Sequence, residues 1–129
     1  MPIPLFYASF LAFLYIYLSF RVINIRKEVR VSIGDKGNNK LERAIRVHSN
    51  FSEYVPFTLL LMYFLSTQNA NSIILHALGV LLLLARGIHA YGVSQVNENL
   101  KFRTFGMFAT ISVIITSSIY LLLIGGGIA

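Results

Sequence analysis

The chain of 129 residues is 56% hydrophobic and only 12% charged, with a mean hydropathy of +0.69, a composition that excludes an ordinary soluble domain and points to one integral membrane domain spanning residues 1–129. Without cysteine it has no disulfide framework, no thiolate metal site and no cysteine nucleophile, so any thiol chemistry must use a sulfur supplied by a ligand. The net charge of +6 does not indicate a nucleic-acid partner, because the basic residues sit beside apolar spans where membrane topology accounts for them.

Ile3 to Phe20 is an aromatic-rich apolar run. Arg21 does not have to end it, since a long cationic side chain can snorkel to the interface, and a first spanning helix is expected over residues 3–25. No basic segment precedes the run and no small-residue cleavage pattern follows it, so it reads as a retained span rather than a signal peptide. Tyr7, Tyr15 and Tyr17 are read as core or interface aromatics. Ser32 to Asn39 is rich in turn formers and makes the first loop. Its Gly34 and Gly37 lack the Gly-Lys-Ser/Thr signature of a phosphate cradle.

The second helix is expected over residues 41–66. Arg43, Arg46, Asn50 and Glu53 recur at steps of three or four and line one stripe, with Val47, Phe51, Tyr54 and Val55 largely off it. Pro56 falls inside this helix, where it removes one backbone hydrogen bond and is expected to introduce a kink. Residues 67–71 form an uncharged connection. A third helix over 72–92 carries His76 near its start and Arg86 and His89 near its end, and residues 93–102 form a polar connection. A fourth span over 104–124 is stopped by Gly125, Gly126 and Gly127.

All sixteen Lys, Arg, Asp and Glu residues fall between Arg21 and Glu53 or between Arg86 and Arg103. The positive-inside rule then places the first and third connections in the cytoplasm and both termini on the other side. Arg26, Arg46, Asn50, Glu53, Arg86, His89 and Arg103 thereby reach a similar depth on four helices. A charge deeper in the bilayer costs roughly 2.5–3.5 kcal/mol on insertion scales, so such residues are expected to be paired or working.

The cluster has two readings. It is structural if Glu53 pairs with Arg46, Arg86 or an arginine of a neighbouring chain while Asn50 bridges helices. It is a binding site if the excess of arginines over acids is balanced by an anion, either a lipid headgroup or a small carboxylate. His48 and His89 lie among cations with no Asp, Glu or Cys at ligand spacing, which argues against a metal, and His76 reads as an interfacial residue. Tyr54 and Tyr91 lie near the cluster.

The segment Arg46-Val-His-Ser-Asn50-Phe-Ser-Glu53-Tyr54-Val-Pro56 resembles the signature of the membrane-associated proteins in eicosanoid and glutathione metabolism, the MAPEG family. The Gly34-Asp-Lys-Gly37 loop is similar to that of short bacterial members, and the four spans, Ala85-Arg86 with His89, and Arg103-Thr104 also fit. The resemblance implies an all-α membrane four-helix bundle that assembles as a homotrimer and binds glutathione as co-substrate between subunits near the cytoplasmic face. It implies glutathione contacts from Arg26, Arg46, Asn50, Glu53, Tyr54, Arg86 and His89, and a catalytic Arg103, with Thr104 beside it and Lys101 as the substitute. Val93 stands where well-studied members have a tyrosine, and Ser49 where some have an arginine; both departures bear on affinity and catalysis rather than on fold.

The implied function is a glutathione-dependent transferase or peroxidase acting on a lipophilic electrophile that arrives from the bilayer between helices one and four. Glutathione carries two carboxylates and one ammonium, which suits several arginines and one acid. Glu53 would take the ammonium, Arg26, Arg46 and Arg86 the carboxylates, and Arg103 would stabilise the thiolate. The alternative is a non-catalytic lipid- or ligand-binding trimer of the same fold. A transporter fits worse, because no inverted repeat or broken pair of helices is present. The loop pattern and size suit a bacterial inner membrane.

Overall fold

The computed structural model describes residues 1–129 as four helices, α1 (Ile3–Val29), α2 (Asn39–Thr67), α3 (Ser72–Ser94) and α4 (Leu100–Gly125). Short connections make sequential helices antiparallel neighbours. α1 packs on α2 and α3, and α4 packs on α3 and α2, whereas α1 and α4 do not touch. In cross-section the bundle is a rhombus with α2 and α3 on the short diagonal. A groove between helices one and four, expected as the route for an electrophile, therefore does not exist within one chain.

Asparagines set three helix starts. Asn38 Oδ1 accepts from the Leu41 amide, Asn71 Oδ1 from Ile73 and Ile74, and Asn99 Oδ1 from Lys101, each satisfying amides that have no partner inside the helix. The Asn99 cap starts α4 four residues earlier than the expected Thr104, and Arg103 consequently lies at the end of the first turn rather than opening the helix. α1 continues past Ile25 to Val29 and closes on Arg30, whose left-handed φ of 57° turns the chain into the first loop. α2 runs unbroken through Pro56.

The core is a seam of aliphatic side chains from all four helices, including Leu11, Leu18, Val47, Met62, Leu82 and Val113, while large apolar residues such as Phe13, Phe108 and Leu122 lie on the outside. An apolar exterior around an apolar core is what a bilayer solvent allows. α1, α3 and α4 are each long and apolar enough to cross a membrane; α2 is long enough, at about 43 Å from a 1.5 Å rise per residue, but its charged first half lowers its hydropathy. α3 and α4 approach most closely at Gly106 and Gly92. A Cβ on Gly106 would sit 2.6 Å from His89 Cβ and 2.8 Å from the Ala85 carbonyl, and one on Gly92 would sit 2.6 Å from Phe102 Cβ. Small residues at such crossings let backbones meet where hydrophobic burial gives no drive.

Candidate functional site

At the end of the bundle carrying the first and third connections, the inner faces of α2, α3 and α4 converge on Arg86. Its position on α3 places it 1% exposed between α2 and α4. One terminal nitrogen donates to Asn50 Oδ1 of α2 at 2.6 Å and lies 3.4 Å from His89 Nδ1, one turn along α3. The other reaches Thr110 Oγ1 at 3.4 Å and Met107 Sδ at 3.8 Å on α4. Because a guanidinium only donates, His89 Nδ1 must accept, which leaves the ring proton on Nε2. The guanidinium carbon lies 5.8 Å from the centre of the Phe51 ring. Its Nε has no partner, and no carboxylate pairs with it.

A second centre lies beside it in the third connection. Glu98, with a 5% exposed side chain, accepts from Arg43 Nη1 at 2.9 Å and receives Arg103 through Nε at 2.8 Å and Nη2 at 2.7 Å. Arg43 Nη1 also bonds the Val93 carbonyl at 3.1 Å, tying α2 to the last turn of α3. Desolvation acts to raise the Glu98 pKa, but the hydrogen bonds and charges of Arg43 and Arg103 outweigh it and hold the carboxyl below its ordinary range.

Two adjoining cavities, of about 160 and 240 Å³, open over these centres and share Arg46, Val93 and Arg103. Asn50, His89 and Met107 line the first, and Asn39, Glu42 and Arg43 line the second. The walls thus hold Arg43, Arg46 and Arg103, with Arg86 behind Asn50, against Glu98 and the more peripheral Glu42. Arg46 is exposed and makes no ion pair. The arrangement has more cationic donors than the chain has acceptors for.

Of the residues expected at this site, Arg46, Asn50, Arg86, His89 and Arg103 come together. Arg26 does not join them: its Nη1 donates to the Val31 and Gly34 carbonyls at 3.2 and 2.8 Å, bracing the first loop, because α1 touches neither α4 nor the cleft. Glu53 is exposed and pairs with neither Arg46 nor Arg86 within the chain, since Asn50 rather than Glu53 faces the α3 arginine. Thr104 and Lys101 are exposed and outside the cavity walls, and Tyr54 is half-buried outside them. Val93 is buried in the cleft wall.

Sequence reading missed Glu98 as the counter-charge, although it is the sole carboxylate of the third connection and directly precedes a capping asparagine. It also missed Arg43 as a site residue, although Arg43 shares the α2 stripe.

The family model of the MAPEG family matches residues 4–123. Among curated relatives, the inner membrane protein YecN of Escherichia coli K12 is 38% identical over 104 residues, covering 81% of this chain and 78% of that protein. YecN of Escherichia coli O6:H1 matches to the same extent. No solved structure matches the chain significantly.

Proposed function

The chain belongs to the MAPEG family, and from that premise we propose that it is a membrane-bound, glutathione-dependent transferase or peroxidase acting on lipophilic electrophiles. The observation that carries this reading is the uncompensated cation group around Arg86, a buried guanidinium without a carboxylate beside an exposed, unpaired Arg46. A buried charge is costly unless paired, and an anionic ligand supplies the missing partner. Glutathione fits this donor set: its carboxylates suit Arg46 and the Arg86–Asn50 pair, and Arg103 stands at the cleft wall where a guanidinium stabilises a thiolate.

Glu53, exposed and unpaired on the flank of α2, suits an ammonium only if a neighbouring copy brings the ligand to it. This supports a homotrimer with glutathione bound between subunits, and the separation of α1 from α4 supports an electrophile route between copies rather than within one. With the charged end in the cytoplasm, both termini lie on the other side, and the likeness to an inner membrane protein supports a bacterial inner membrane as the site of action.

A non-catalytic ligand-binding trimer is the second reading, favoured by one observation: both oxygens of Glu98 hold Arg103, which must be shared or released to act on a thiolate. Calorimetry of glutathione on the detergent-purified protein, with conjugation of an aryl halide followed by absorbance, separates the two. Binding with turnover that Arg103→Ala abolishes while affinity holds is the expected result. Binding with no turnover on any electrophile supports the second reading, and no binding refutes the glutathione-dependent reading and leaves a lipid-binding trimer of the same fold.

A further inference from the structure

On the opposite side of α3 from the arginine cleft, α1 carries a cation that the bundle does not use. Arg21 lies on the same face of α1 as Tyr17 and Asn24, one turn before and after it, half-buried against the end of α3. Its one hydrogen bond is from Nη1 to Ser94 Oγ at 2.5 Å, and the Ser94 hydroxyl donates in turn to the Ala90 carbonyl. No carboxylate lies within ion-pair distance of Arg21. An arginine has five N–H donors, so most of this fork is unspent at the polar end of a membrane helix.

Two clefts meet at this side chain, and Tyr17 and Arg21 line both. One, of about 330 Å³, is a polar cup that also takes in Asn24, Glu28 and Lys40. Lys40 and Glu28 pair there at 3.5 Å, so Arg21 leaves the cup with one net positive charge. The other, of about 260 Å³, runs along the α1–α3 seam over Leu14, Leu18 and Ala90, with Tyr91 at its side. A cup holding one surplus cation, joined at Arg21 to a slot whose far end is floored by Leu14 and Leu18 and flanked by two exposed tyrosines, has room for one headgroup and one chain.

We propose that these joined clefts bind one anionic phospholipid, with its phosphodiester at Arg21 and an acyl chain in the slot along Leu14 and Leu18. The single negative charge of a phosphodiester matches the single surplus charge of the cup. A zwitterionic lipid brings a choline for which the cup has only Glu28, already held by Lys40. This site shares no residue with the arginine cleft and stands whether or not glutathione binds there.

The test is native mass spectrometry of the full chain released from micelles containing equal amounts of phosphatidylglycerol and phosphatidylcholine with identical chains. The wild type is expected to retain the anionic lipid about fivefold over the zwitterionic one, the factor for one surface cation. Arg21→Gln brings the ratio to near one, whereas Arg30→Gln, an exposed arginine outside both clefts, leaves it unchanged. Leu14→Trp fills the slot without altering charge and is expected to lower retention of both lipids.

Equal retention by the wild type, or an equal fall in Arg30→Gln, overturns the proposal. So does displacement of the lipid by excess glycerol phosphate, which would mean that phosphate alone is recognised. In this cysteine-free chain, Tyr17→Cys reports on a second copy as occupant: rapid disulfide-linked dimer in lipid overturns the lipid site, and its absence supports it.

Discussion

The two ends of the bundle are stitched differently. At the end bearing the α2–α3 connection, neutral groups meet one to one: the Tyr7 hydroxyl and His76 Nδ1 lie 2.9 Å apart, and the Tyr120 hydroxyl accepts from the Asn71 amide at 3.2 Å. At the other end Arg43 and Arg103 share Glu98, Arg46 and Arg86 pair with no carboxylate, and the Arg86 Nε has no partner. The surplus of donors at the charged end has no counterpart at the neutral end, and the proposed anionic ligand would account for it.

The sharpest way to break this contrast is Arg86→Met. Charge-assisted hydrogen bonds contribute about 1.5–3 kcal/mol each, so glutathione affinity is expected to fall about 10- to 100-fold by calorimetry. Thermal stability in detergent should hold or rise, because an unpaired buried cation is removed and a side chain of similar length fills its place. A large loss of stability would instead make the surplus structural.

Glu98→Gln addresses the one acid that limits the surplus. Losing the charge that ties Arg43 and Arg103 should cost roughly 1–2 kcal/mol in a denaturation assay, as a partly exposed network allows. The Glu98 carboxyl titrates below its ordinary value of 4.5 in the folded chain, so its contribution is complete above that pH and is lost as pH falls through the lower folded value. Stability of the wild type should decline on that acid limb, and that of Glu98→Gln should lack this part of the decline.

Changes at the neutral end sharpen the comparison by leaving the ligand alone. Tyr7→Phe removes the partner of His76 and should lower stability by about 1 kcal/mol with glutathione affinity unchanged. Tyr120→Phe, whose bond to Asn71 is exposed, should cost no more than about 0.5 kcal/mol by the same denaturation measurement. An affinity change in either variant would mean that the two ends are coupled.

The helices were legible because the apolar runs are long, two of their interruptions are charged, and the third, residues 67–71, is short and polar. Their ends were less so. The polar connection 93–102 does not announce its cap, and in the folded chain Asn99 takes that role, which moves the start of α4 forward to Leu100. The stripe on α2 predicted that Arg46 and Asn50 share a face, and the folded chain brings Arg86 and His89, one turn apart on α3, to the same place. Periodicity along one helix says nothing about which carboxylate a cation will meet across a bundle. Glu98 lies 55 residues from Arg43, and their pairing depends on how α2 packs against the end of α3. Arg26 shows a further gap: its depth matches the cluster, but within one chain it bonds its own loop, and only a neighbouring copy would bring it to a cleft.

The backbone contact of α3 with α4 at Gly92 and Gly106 has a mechanical consequence. Two helices in such close contact at both points cannot slide past one another without driving side chains into backbone, so they form one stiff wall of the arginine cleft. The opposite wall, α2, carries Pro56 in its middle and lacks the hydrogen bond that would stiffen it there. On the proposed function, admission of glutathione would be the flexing of a single leaf, α2, against a fixed jamb.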